Sequence, residues 1–424
     1  MFVINEGDGG SYVYMVQLAL TRAGYPADID GVFGGRTKGA VINFQKSRRL
    51  NPDGIVGKNT FFALREFLTG YTHYTIKQGD TLFGIAKLFG TTTAALTVAN
   101  PNIDPNNLQV GKRITMVYGF DLVSDKVQYN SLLTELIAEG LTARYPFIEL
   151  NIIGRSVLGR PIVALNMGAG AKKVFFNATH HANEWITTPM LLKYFEQYAK
   201  SKAGLDKSIN NANPLFNATT LYAVPMVNPD GADLVTGAFE KDSEAYLDAL
   251  KYAGNYPFIP FPSGWKANIN GTDLNLNYPA MWDVGREVKF AAGFTLPGPA
   301  NYVGTAPLSE PETRAIYNYS VNNDFDLTLS LHTQGEEIYW RFADYEPKMG
   351  KEIGLKMAAV SGYTLTDPTD FQSYGGYKDW FIMTYLRPGY TVEAGLGVNP
   401  LPISSFNEFY PPVKNILLTA QENA

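Results

Sequence analysis

The segment 172–200, "KKVFFNATHHANEWITTPMLLKYFEQYAK", predicts a strand, a polar loop and a helix in succession. It begins with a short apolar run and ends with large apolar residues at helical spacing, namely Met190, Leu191, Tyr194 and Tyr198. Two adjacent histidines, His180 and His181, stand between the strand and the helix, and the whole chain contains only four. Because open α/β sheets carry their sites at the carboxyl ends of strands, this loop is the first candidate for chemistry.

The same alternation of strands and helices continues on both sides, from about residue 119 to residue 424. Further apolar runs are "LYAVPMVNPDG", "DLTLSLHTQG" and "PGYTVEAG", and each of them ends in polar residues. Strands that alternate with helices indicate an α/β domain.

Composition excludes several classes of site and partner. The 424-residue chain has no cysteine, which rules out disulfides, thiolate zinc sites and cysteine nucleophiles. A net charge of −5 without an evident basic stripe argues against nucleic acid as a partner. No apolar run reaches about 18 residues, so we expect no membrane span. The opening "MFVINEGDGG" has no basic and apolar leader, so we expect no signal peptide.

Residues 1–70 predict a small unit of three helices. The first helix ends at Gly24, and the other two follow the glycine turns "IDGVFG" and "PDGIVG". These doubled turns, with "FQ" and threonines at matching positions, resemble the peptidoglycan-binding domain of type 1. A generic three-helix bundle with glycine turns is the alternative interpretation.

Residues 71–118 predict the order β-α-α-β, with a first strand at 74–76 and a last strand at 113–117. In "GDTLFGIA" we expect Asp80 to cap the first helix, and "NPN" at 100–102 is a turn. Together with "LQVG", these motifs resemble a LysM domain, a family that binds chains of N-acetylglucosamine. The resemblance implies two glycan-binding loops, with Asp80, Thr81, Leu82, Asn100 and Ile103 as contact residues. A purely structural role for the domain is the alternative.

Three predicted strand ends carry the residues of a catalytic metal site: His181 with Glu184, then His332, then Glu393. Two neutral imidazoles and a carboxylate are a common ligand set for catalytic zinc, which keeps a fourth position open. A further glutamate beside that position can take and return a proton. A lone H-x-x-E is weak evidence, but three of the four histidines at two strand ends favour a metal site.

The motifs "HHANEW", "VNPDG", "DLNLNYP", "SLHTQG" and "TVEAG" resemble, in order and spacing, those of the M14 zinc carboxypeptidase family over residues 119–424. The resemblance implies an α/β catalytic domain with a mixed central sheet and one zinc ion per chain. It implies His181, Glu184 and His332 as zinc ligands and Glu393 as the general base. It also implies that Asp273 orients His181 through its second ring nitrogen.

His180 lies one residue away from this zinc motif. A side chain on the opposite side of an extended segment points away from its neighbour's, so a structural role is favoured over metal ligation.

Two departures from the family pattern concern the substrate side. The family's oxyanion-stabilising arginine lies nine residues before its substrate-binding asparagine, which is Asn275 here, and Lys266 takes that place. Lysine donates as a point charge without the guanidinium fork, and a surface lysine is the alternative. Exopeptidases of the family follow the asparagine with an arginine that binds the terminal carboxylate, whereas this chain has Leu276.

Two more departures lie around the "DW" pair at 379–380. The family's mobile tyrosine corresponds to Phe371, so Tyr374 or Tyr377 would have to replace it. At the position before Asp379, where the family sets side-chain specificity, stands Lys378, which favours an acidic substrate group. A solvated lysine is the alternative.

Two wall-binding domains ahead of a zinc peptidase imply peptidoglycan as the partner, with glycan strands at the N-terminal domains and the stem peptide at the zinc site. Leucine after the asparagine fits one subgroup of the M14 family. That subgroup resembles endopeptidases that cut the bond between γ-D-glutamate and a diamino acid, often meso-diaminopimelate. Lys378 or Arg341 would bind the distal carboxylate of that residue, and Glu336 or Glu337 would bind its amine.

Two other functions remain open: an exocarboxypeptidase and a non-catalytic wall-binding protein. For location we expect the bacterial cell wall, outside the cell or in the spore, and the absence of a visible signal peptide leaves a cytoplasmic origin open.

Overall fold

The computed structural model describes residues 3–367 and 374–424. The chain divides into two compact units. The first unit comprises residues 1–128, 132–150 and 196–212, and the second comprises 129–131, 151–195 and 213–424.

The helices and strands have the following bounds. The helices are α1 (Ser11–Arg22), α2 (Gly35–Ser47), α3 (Lys58–Thr69), α4 (Leu82–Leu88), α5 (Thr93–Ala99), α6 (Ser131–Arg144), α7 (Thr187–Lys202), α8 (Ala212–Ala218), α9 (Pro229–Val235), α10 (Glu244–Ala253), α11 (Trp282–Ala291), α12 (Pro311–Asn323), α13 (Gly350–Ser361), α14 (Tyr377–Tyr385) and α15 (Phe406–Glu422). The strands are β1 (Tyr71–Thr75), β2 (Arg113–Val117), β3 (Glu149–Arg155), β4 (Pro161–Gly168), β5 (Lys172–Ala178), β6 (Thr219–Val224), β7 (Leu327–His332), β8 (Glu337–Tyr339), β9 (Thr364–Thr366) and β10 (Gly389–Glu393). Short 3₁₀ helices cover Ala182–Glu184, Leu274–Leu276 and Ile403–Ser405.

In the first unit, a buried glutamine holds the first glycine turn. Gln17 of α1 donates from Nε2 to Asp30 Oδ1 at 2.8 Å and to Thr37 Oγ1 at 3.2 Å. Its Oε1 accepts from the backbone N–H of Gly31 at 2.8 Å. Each polar atom of the buried amide is therefore paired, as burial in a small domain requires.

The second glycine turn repeats this arrangement. Gln45 of α2 donates to Asp53 Oδ1 at 2.9 Å and to Thr60 Oγ1 at 3.1 Å, and accepts from Gly54 N at 3.0 Å. The doubled motif of the sequence is thus a doubled hydrogen-bond cluster, and the predicted three-helix domain is confirmed.

The second predicted domain has the expected order β1-α4-α5-β2, and its two strands pair antiparallel. The first strand runs from Tyr71 to Thr75 rather than over 74–76. The predicted cap was wrong, because Thr81 rather than Asp80 caps α4 by accepting from Gly84 N at 3.0 Å. Asp80 instead accepts from Lys77 N at 2.7 Å, which closes the preceding turn.

Within the described residues, no single helix is long and apolar enough to cross a membrane. The bent pair α4 and α5, which together reach the required length and composition, contributes Leu82, Ile85 and Leu96 to the buried core around β1 and β2.

The second unit contains an eight-stranded sheet in the order β3-β4-β6-β5-β7-β10-β8-β9. Strands β6, β5, β7 and β10 run parallel to their neighbours in this series, whereas β4 and β8 pair antiparallel. The predicted mixed α/β sheet is therefore confirmed. All six residues of β7 are buried, which is typical of a central strand covered on both faces. The parallel neighbours β5, β7 and β10 end at one edge of the sheet, and the candidate site lies there.

Candidate metal centre

A tight polar turn carries the chain from β5 into the site. Thr179 adopts a left-handed conformation with φ 55°, and its buried hydroxyl bonds those of Thr187 at 2.9 Å and Thr188 at 2.8 Å. These contacts fasten the end of the strand to the first turn of α7. The residues between them form the short 3₁₀ helix over Ala182–Glu184, which brings Glu184 back toward His181.

Three ligand atoms converge at this point. Glu184 lies with Oε1 2.9 Å from His181 Nδ1 and with Oε2 2.9 Å from His332 Nδ1. The two imidazole nitrogens are 3.2 Å apart. His332 is the last residue of β7, so the strand order places it beside the loop after β5.

This donor set fits a zinc ion. Among the residues that the structure describes, His181, Glu184 and His332 form a group of possible ligands whose ligand atoms all lie within 4.8 Å of one another. In neutral rings that carry their proton on Nε2, both Nδ1 atoms are acceptors, and two acceptors beside a carboxylate leave a local excess of lone pairs. A cation compensates that excess, and two imidazoles with one carboxylate are ligands that zinc favours.

Asp273 contacts the second ring nitrogen of His181. Its Oδ1 lies 3.1 Å from His181 Nε2, and its Oδ2 accepts from Asn301 N at 3.3 Å. Because Nε2 is occupied by the aspartate, Nδ1 is the nitrogen directed at the metal position. The predicted second carboxylate of the site thus lies where it can set the tautomer of the ligand.

The electrostatics follow from this crowding of buried groups. Burial and Lys266 favour neutral His181, but Glu184 and Asp273 outweigh them and raise the pKa of His181 to about 9. Burial alone would raise the pKa of Glu184, yet His181, Lys266 and His332 hold it well below its usual range. Burial lowers the pKa of His332, despite the opposing effect of Glu184. Glu184 is thus the anionic centre of the cluster.

Glu393 ends β10 directly opposite His332 in the parallel register. Burial, and next the negative charge of Glu184, raise the pKa of Glu393 to about 8, although Lys266 and His181 act in the opposite direction. A carboxyl group whose pKa lies near neutrality is suited to take a proton and return it.

Lys266 reaches the same place from a different segment. Its Nζ lies 3.4 Å from Glu184 Oε1, and its backbone carbonyl accepts from Ala182 N at 3.0 Å. Burial lowers the pKa of Lys266, but Glu184, Asp273 and Glu393 outweigh burial and raise it. The ammonium is therefore a stable positive charge beside the general-base candidate.

His180 points away from the ligand cluster. Its Nε2 lies 3.0 Å from the hydroxyl of Tyr278, and its carbonyl accepts from Asn228 Nδ2 at 3.1 Å. Burial, and next the nearby His332 and His181, lower its pKa well below the usual range. His180 therefore packs as a neutral ring inside the domain.

The asparagine and leucine of "DLNLNYP" lie within the 3₁₀ helix that follows Asp273. Asn275 accepts at Oδ1 from Tyr377 N at 3.1 Å, and this contact ties the motif to the start of α14. Leu276 is half-buried and supplies no charge. A substrate carboxylate at this position would find the amide of Asn275 and no cation from Leu276.

Lys378 is 5% exposed, and its ammonium is already engaged. It donates to Asp379 Oδ1 at 2.5 Å and to the carbonyl of Arg341 at 2.8 Å. Arg341 is more accessible, with Nε 3.2 Å from Asp367 and Nη1 donating to the carbonyl of Ala343 at 3.1 Å. Its Nη1 also lies 3.6 Å from Glu346 Oε1. Both predicted readers of a carboxylate therefore already face carboxylates of this chain, and Arg341 is the more exposed of the two.

The candidates for a mobile phenol differ in their surroundings. Phe371 lies outside the described residues. Tyr377 is fully buried, with its hydroxyl 2.8 Å from Ser320 Oγ. Tyr374 is half-buried and packs edge to face against Phe342, with ring centroids 6.2 Å apart. Its role as a replacement phenol stays a prediction.

The two acidic candidates for amine binding lie at the start of β8. Glu336 adopts φ 55° and its carbonyl accepts from Thr364 N at 2.9 Å. Glu337 pairs with Glu393 in the antiparallel register and accepts from the hydroxyl of Tyr339 at 2.6 Å. Sequence reasoning missed Tyr339, although its position two residues after Glu337 predicts a shared face once β8 is recognised as a strand.

Side chains of the first predicted glycan loop are engaged within their own domain. Asp80 accepts at Oδ2 from the hydroxyl of Tyr74 at 2.9 Å and from Lys77 N at 2.7 Å. Thr81 caps α4. Glycan contact by this loop stays a prediction.

The second predicted glycan loop, which contains Asn100, is also held by hydrogen bonds within its own domain. Asn100 donates to the carbonyls of Leu96 and Thr115, each at 2.8 Å, and accepts from Thr115 N at 2.8 Å. Leu82 is buried and Ile103 is half-buried. The shape of the two loops is thus fixed by their predicted contact residues.

Comparison with known families gives three matches along the chain. Residues 135–424 match the zinc carboxypeptidase family, residues 9–64 match the peptidoglycan-binding domain family, and residues 74–116 match the LysM domain family.

Individual relatives agree with these matches. The chain is 40% identical over 397 residues to gamma-D-glutamyl-L-diamino acid endopeptidase 1 of Lysinibacillus sphaericus, covering 81% of this chain and 98% of the relative. It is 42% identical over 280 residues to the uncharacterised protein YqgT of Bacillus subtilis (strain 168), covering 65% and 72% respectively. Among solved structures, bovine thrombin-activatable fibrinolysis inhibitor shares the fold, with a TM-score of 0.53 at 20% identity over 70% of this chain and 97% of that one.

Proposed function

We propose a function that proceeds from one fact: the chain belongs to the zinc carboxypeptidase family. It is a zinc metallopeptidase with peptidoglycan-binding and LysM domains ahead of the peptidase. The proposed reaction is hydrolysis of the amide bond between γ-D-glutamate and a diamino acid, meso-diaminopimelate, in the stem peptide of peptidoglycan. The observation that carries the proposal is the 40% identity to an endopeptidase named for this bond, over 98% of that relative.

His181, Glu184 and His332 are the proposed zinc ligands, and zinc bound by them supplies Lewis acidity at a position open to water and substrate. Asp273 holds His181 in the tautomer that ligation requires. The site lies at the carboxyl ends of β5 and β7, where a substrate can approach the sheet edge.

Glu393 is the proposed general base and acid. It takes a proton from the attacking water, and the same carboxyl group returns that proton to the leaving amine of the diamino acid. In the metal-free protein, burial and next the charge of Glu184 raise the pKa of Glu393, so this carboxyl group holds a proton more readily than an exposed glutamate does. Lys266, with its ammonium beside Glu184, would stabilise negative charge that develops on the scissile carbonyl oxygen.

The substrate side favours an internal bond over a chain end. Exopeptidase action requires a cation for the terminal carboxylate, and Leu276 supplies none beside Asn275. We propose that Asn275 orients the substrate and that Arg341 binds the distal carboxylate of the diamino acid. Lys378 is the weaker candidate for that carboxylate, because its side chain is 5% exposed, whereas that of Arg341 is 25% exposed.

The two N-terminal domains support attachment to cell-wall glycan. We propose that their loops hold glycan strands while the peptidase acts on nearby stems, outside the cell or in the spore. Attachment raises the local concentration of stems and makes the second binding event intramolecular.

Mass spectrometry of defined muropeptides tests the proposal. Tri-, tetra- and pentapeptide stems are digested with the zinc-loaded enzyme and with the Glu393→Gln variant. The expected products are the L-alanyl-γ-D-glutamyl part and the rest of the stem, which is the free diamino acid from the tripeptide and a diamino-acid peptide from the longer stems. Both products should be absent with the variant. Intact stems, together with loss of C-terminal residues from ordinary peptides, would overturn the proposal in favour of an exocarboxypeptidase.

A further inference from the structure

Thr333 directly follows the proposed ligand His332 and contacts a second proposed ligand through its backbone. Its N–H donates to Glu184 Oε2 at 3.3 Å, and the same oxygen lies 2.9 Å from His332 Nδ1. Both Thr333 and Glu184 are buried. A distance of 3.3 Å is at the long end for an N–H···O bond, so a small displacement of Thr333 would lose the contact. Whatever fixes Thr333 therefore helps to fix the Glu184 carboxylate.

Asn399 holds the other two polar groups of Thr333. Its Nδ2 donates to the carbonyl of Thr333 at 2.8 Å, and its Oδ1 accepts from Thr333 Oγ1 at 2.7 Å. A carboxamide presents a donor and an acceptor side by side, so one side chain makes both bonds. The N–H, the carbonyl and the hydroxyl of Thr333 thus each have a partner, and two of these three partners belong to Asn399.

Asn399 lies in the loop that follows the general-base candidate. Glu393 ends β10, and Asn399 follows six residues later. The same loop is joined to the segment after Thr333 by the backbone, because Gly335 N donates to the carbonyl of Gly395 at 2.8 Å. The segment after the ligand strand β7 and the loop after the base strand β10 are therefore connected beyond the end of the sheet.

The carboxylate of Glu184 needs partners to hold one orientation. The last torsion of a glutamate side chain has a broad energy profile, so its neighbours decide where the two oxygens point. Oε1 lies 2.9 Å from His181 Nδ1 and 3.4 Å from Lys266 Nζ. On the Oε2 side, the N–H of Thr333 is a neutral donor, which orients the carboxylate and leaves its negative charge for a cation.

We propose that Asn399 is a positioning residue of the metal centre, which holds the Glu184 carboxylate toward the two histidine nitrogens by fixing Thr333. The inference rests on the proposed set of zinc ligands. Outer partners that orient a ligand typically contribute about 10- to 100-fold to metal affinity or activity. Asp273 contacts His181 directly, whereas Asn399 acts on the carboxylate ligand through a backbone amide.

The test measures metal binding in variants of Thr333 and Asn399. Asn399→Ala removes both bonds, Thr333→Val removes the bond from the hydroxyl, and Thr333→Ser keeps that bond. The matched control is Asn415→Ala, which removes another bond from an asparagine amide to a backbone carbonyl, that of Val360 at 3.1 Å, on an exposed surface.

Each protein is freed of metal, and its zinc Kd is measured by competition with a chromogenic chelator. The visible absorption spectrum of the cobalt(II)-loaded protein reports the geometry of the ligands. Denaturant unfolding of the metal-free proteins establishes that each variant is folded. Steady-state rates on a defined muropeptide separate kcat from KM.

We expect Asn399→Ala to raise the zinc Kd by about tenfold, because the carboxylate loses its fixed direction. Thr333→Val, which removes one of the two bonds, should raise it by about threefold, whereas Thr333→Ser and Asn415→Ala should keep the wild-type value. The cobalt spectrum should change in Asn399→Ala and not in Asn415→Ala. In Asn399→Ala, kcat should fall while KM stays nearly constant, since the variant alters the metal ligand.

A folded Asn399→Ala variant with the wild-type zinc Kd and the wild-type cobalt spectrum would overturn the inference. Should Asn399→Ala fail to fold, the comparison of Thr333→Val with Thr333→Ser decides, and equal zinc Kd values for these two would overturn it as well. A wild type that binds no zinc would instead remove the proposed ligand set, and the inference with it.

Discussion

The two glutamine clusters of the N-terminal domain and the histidine cluster of the peptidase are all buried and polar. They differ in how well their hydrogen-bond donors and acceptors are matched. Around Gln45, each donor meets an acceptor, with bonds to Asp53, Thr60 and Gly54. Around Glu184, two imidazole nitrogens face each other at 3.2 Å beside one carboxylate. A cluster that satisfies itself stabilises a fold, whereas a cluster of acceptors requires a cation and so indicates function.

The largest expected effect is the loss of catalysis when the general base is replaced and the three proposed zinc ligands are kept. Glu393→Gln should lower kcat by about 1000-fold, because the amide neither takes nor returns a proton. Zinc content and the free energy of unfolding should stay near the wild-type values, since the ligands are untouched. Initial rates on a defined muropeptide, with Glu352→Gln at its exposed pair with Lys356 as the control, measure the effect, and a variant that keeps a tenth of the activity would exclude Glu393 as the base.

A second substitution weakens the cation site by altering a residue that is not a ligand. Asp273→Asn should lower zinc affinity by about 10- to 100-fold, because His181 loses the carboxylate that fixes its ring and its basicity. Competition with a chromogenic chelator gives the affinity. Unchanged affinity would show that Asp273 does not orient the ligand.

A matched change in the self-satisfied cluster should affect only stability. Gln45→Ala leaves the backbone N–H of Gly54 and the side chains around it without their partner, at a cost of about 2 kcal/mol. Denaturant unfolding measures this, with Gln109→Ala, at an exposed position, as the control. Cleavage of a small soluble muropeptide should remain at the wild-type rate. A large loss of that activity would contradict the contrast between the two kinds of cluster.

An effect of similar size is the pH dependence of zinc binding. Zinc requires neutral imidazole, and in the metal-free protein the pKa of His181 is raised to about 9. Protons therefore compete with zinc below pH 9, and apparent affinity should fall by about tenfold for each unit of pH between 8 and 6.5. His332 adds nothing in this range, because its pKa is lowered. Affinity that is constant over this interval would mean that His181 is already neutral.

Much of this architecture was predictable from sequence, because local patterns determine it. The strand and helix around "FFNATHHANEW" follow from apolar periodicity. The sequence also repeats the glycine turn, and in the structure each of the two turns has its own glutamine cluster. The convergence of His181, Glu184 and His332 follows from strand order, which the motifs indicated only through resemblance to a family.

What sequence could not supply depends on pairing between distant segments. The sequence alone does not show that Lys378 donates hydrogen bonds to Asp379 and to the carbonyl of Arg341. The same holds for Glu337, whose place opposite Glu393 depends on the register of β8 against β10. The helix cap at Thr81 was missed for a local reason, since Asp80 and Thr81 are both good caps and only geometry selects one.

Metal content tests the central contrast most directly. Wild type, Glu393→Gln and His332→Ala are saturated with zinc, freed of excess by gel filtration and analysed by inductively coupled plasma mass spectrometry. We predict one zinc per chain in the wild type and in Glu393→Gln, and far less than one in His332→Ala. A wild type that holds no zinc, or a His332→Ala variant that keeps one equivalent, would contradict the assignment of this cluster as the metal centre.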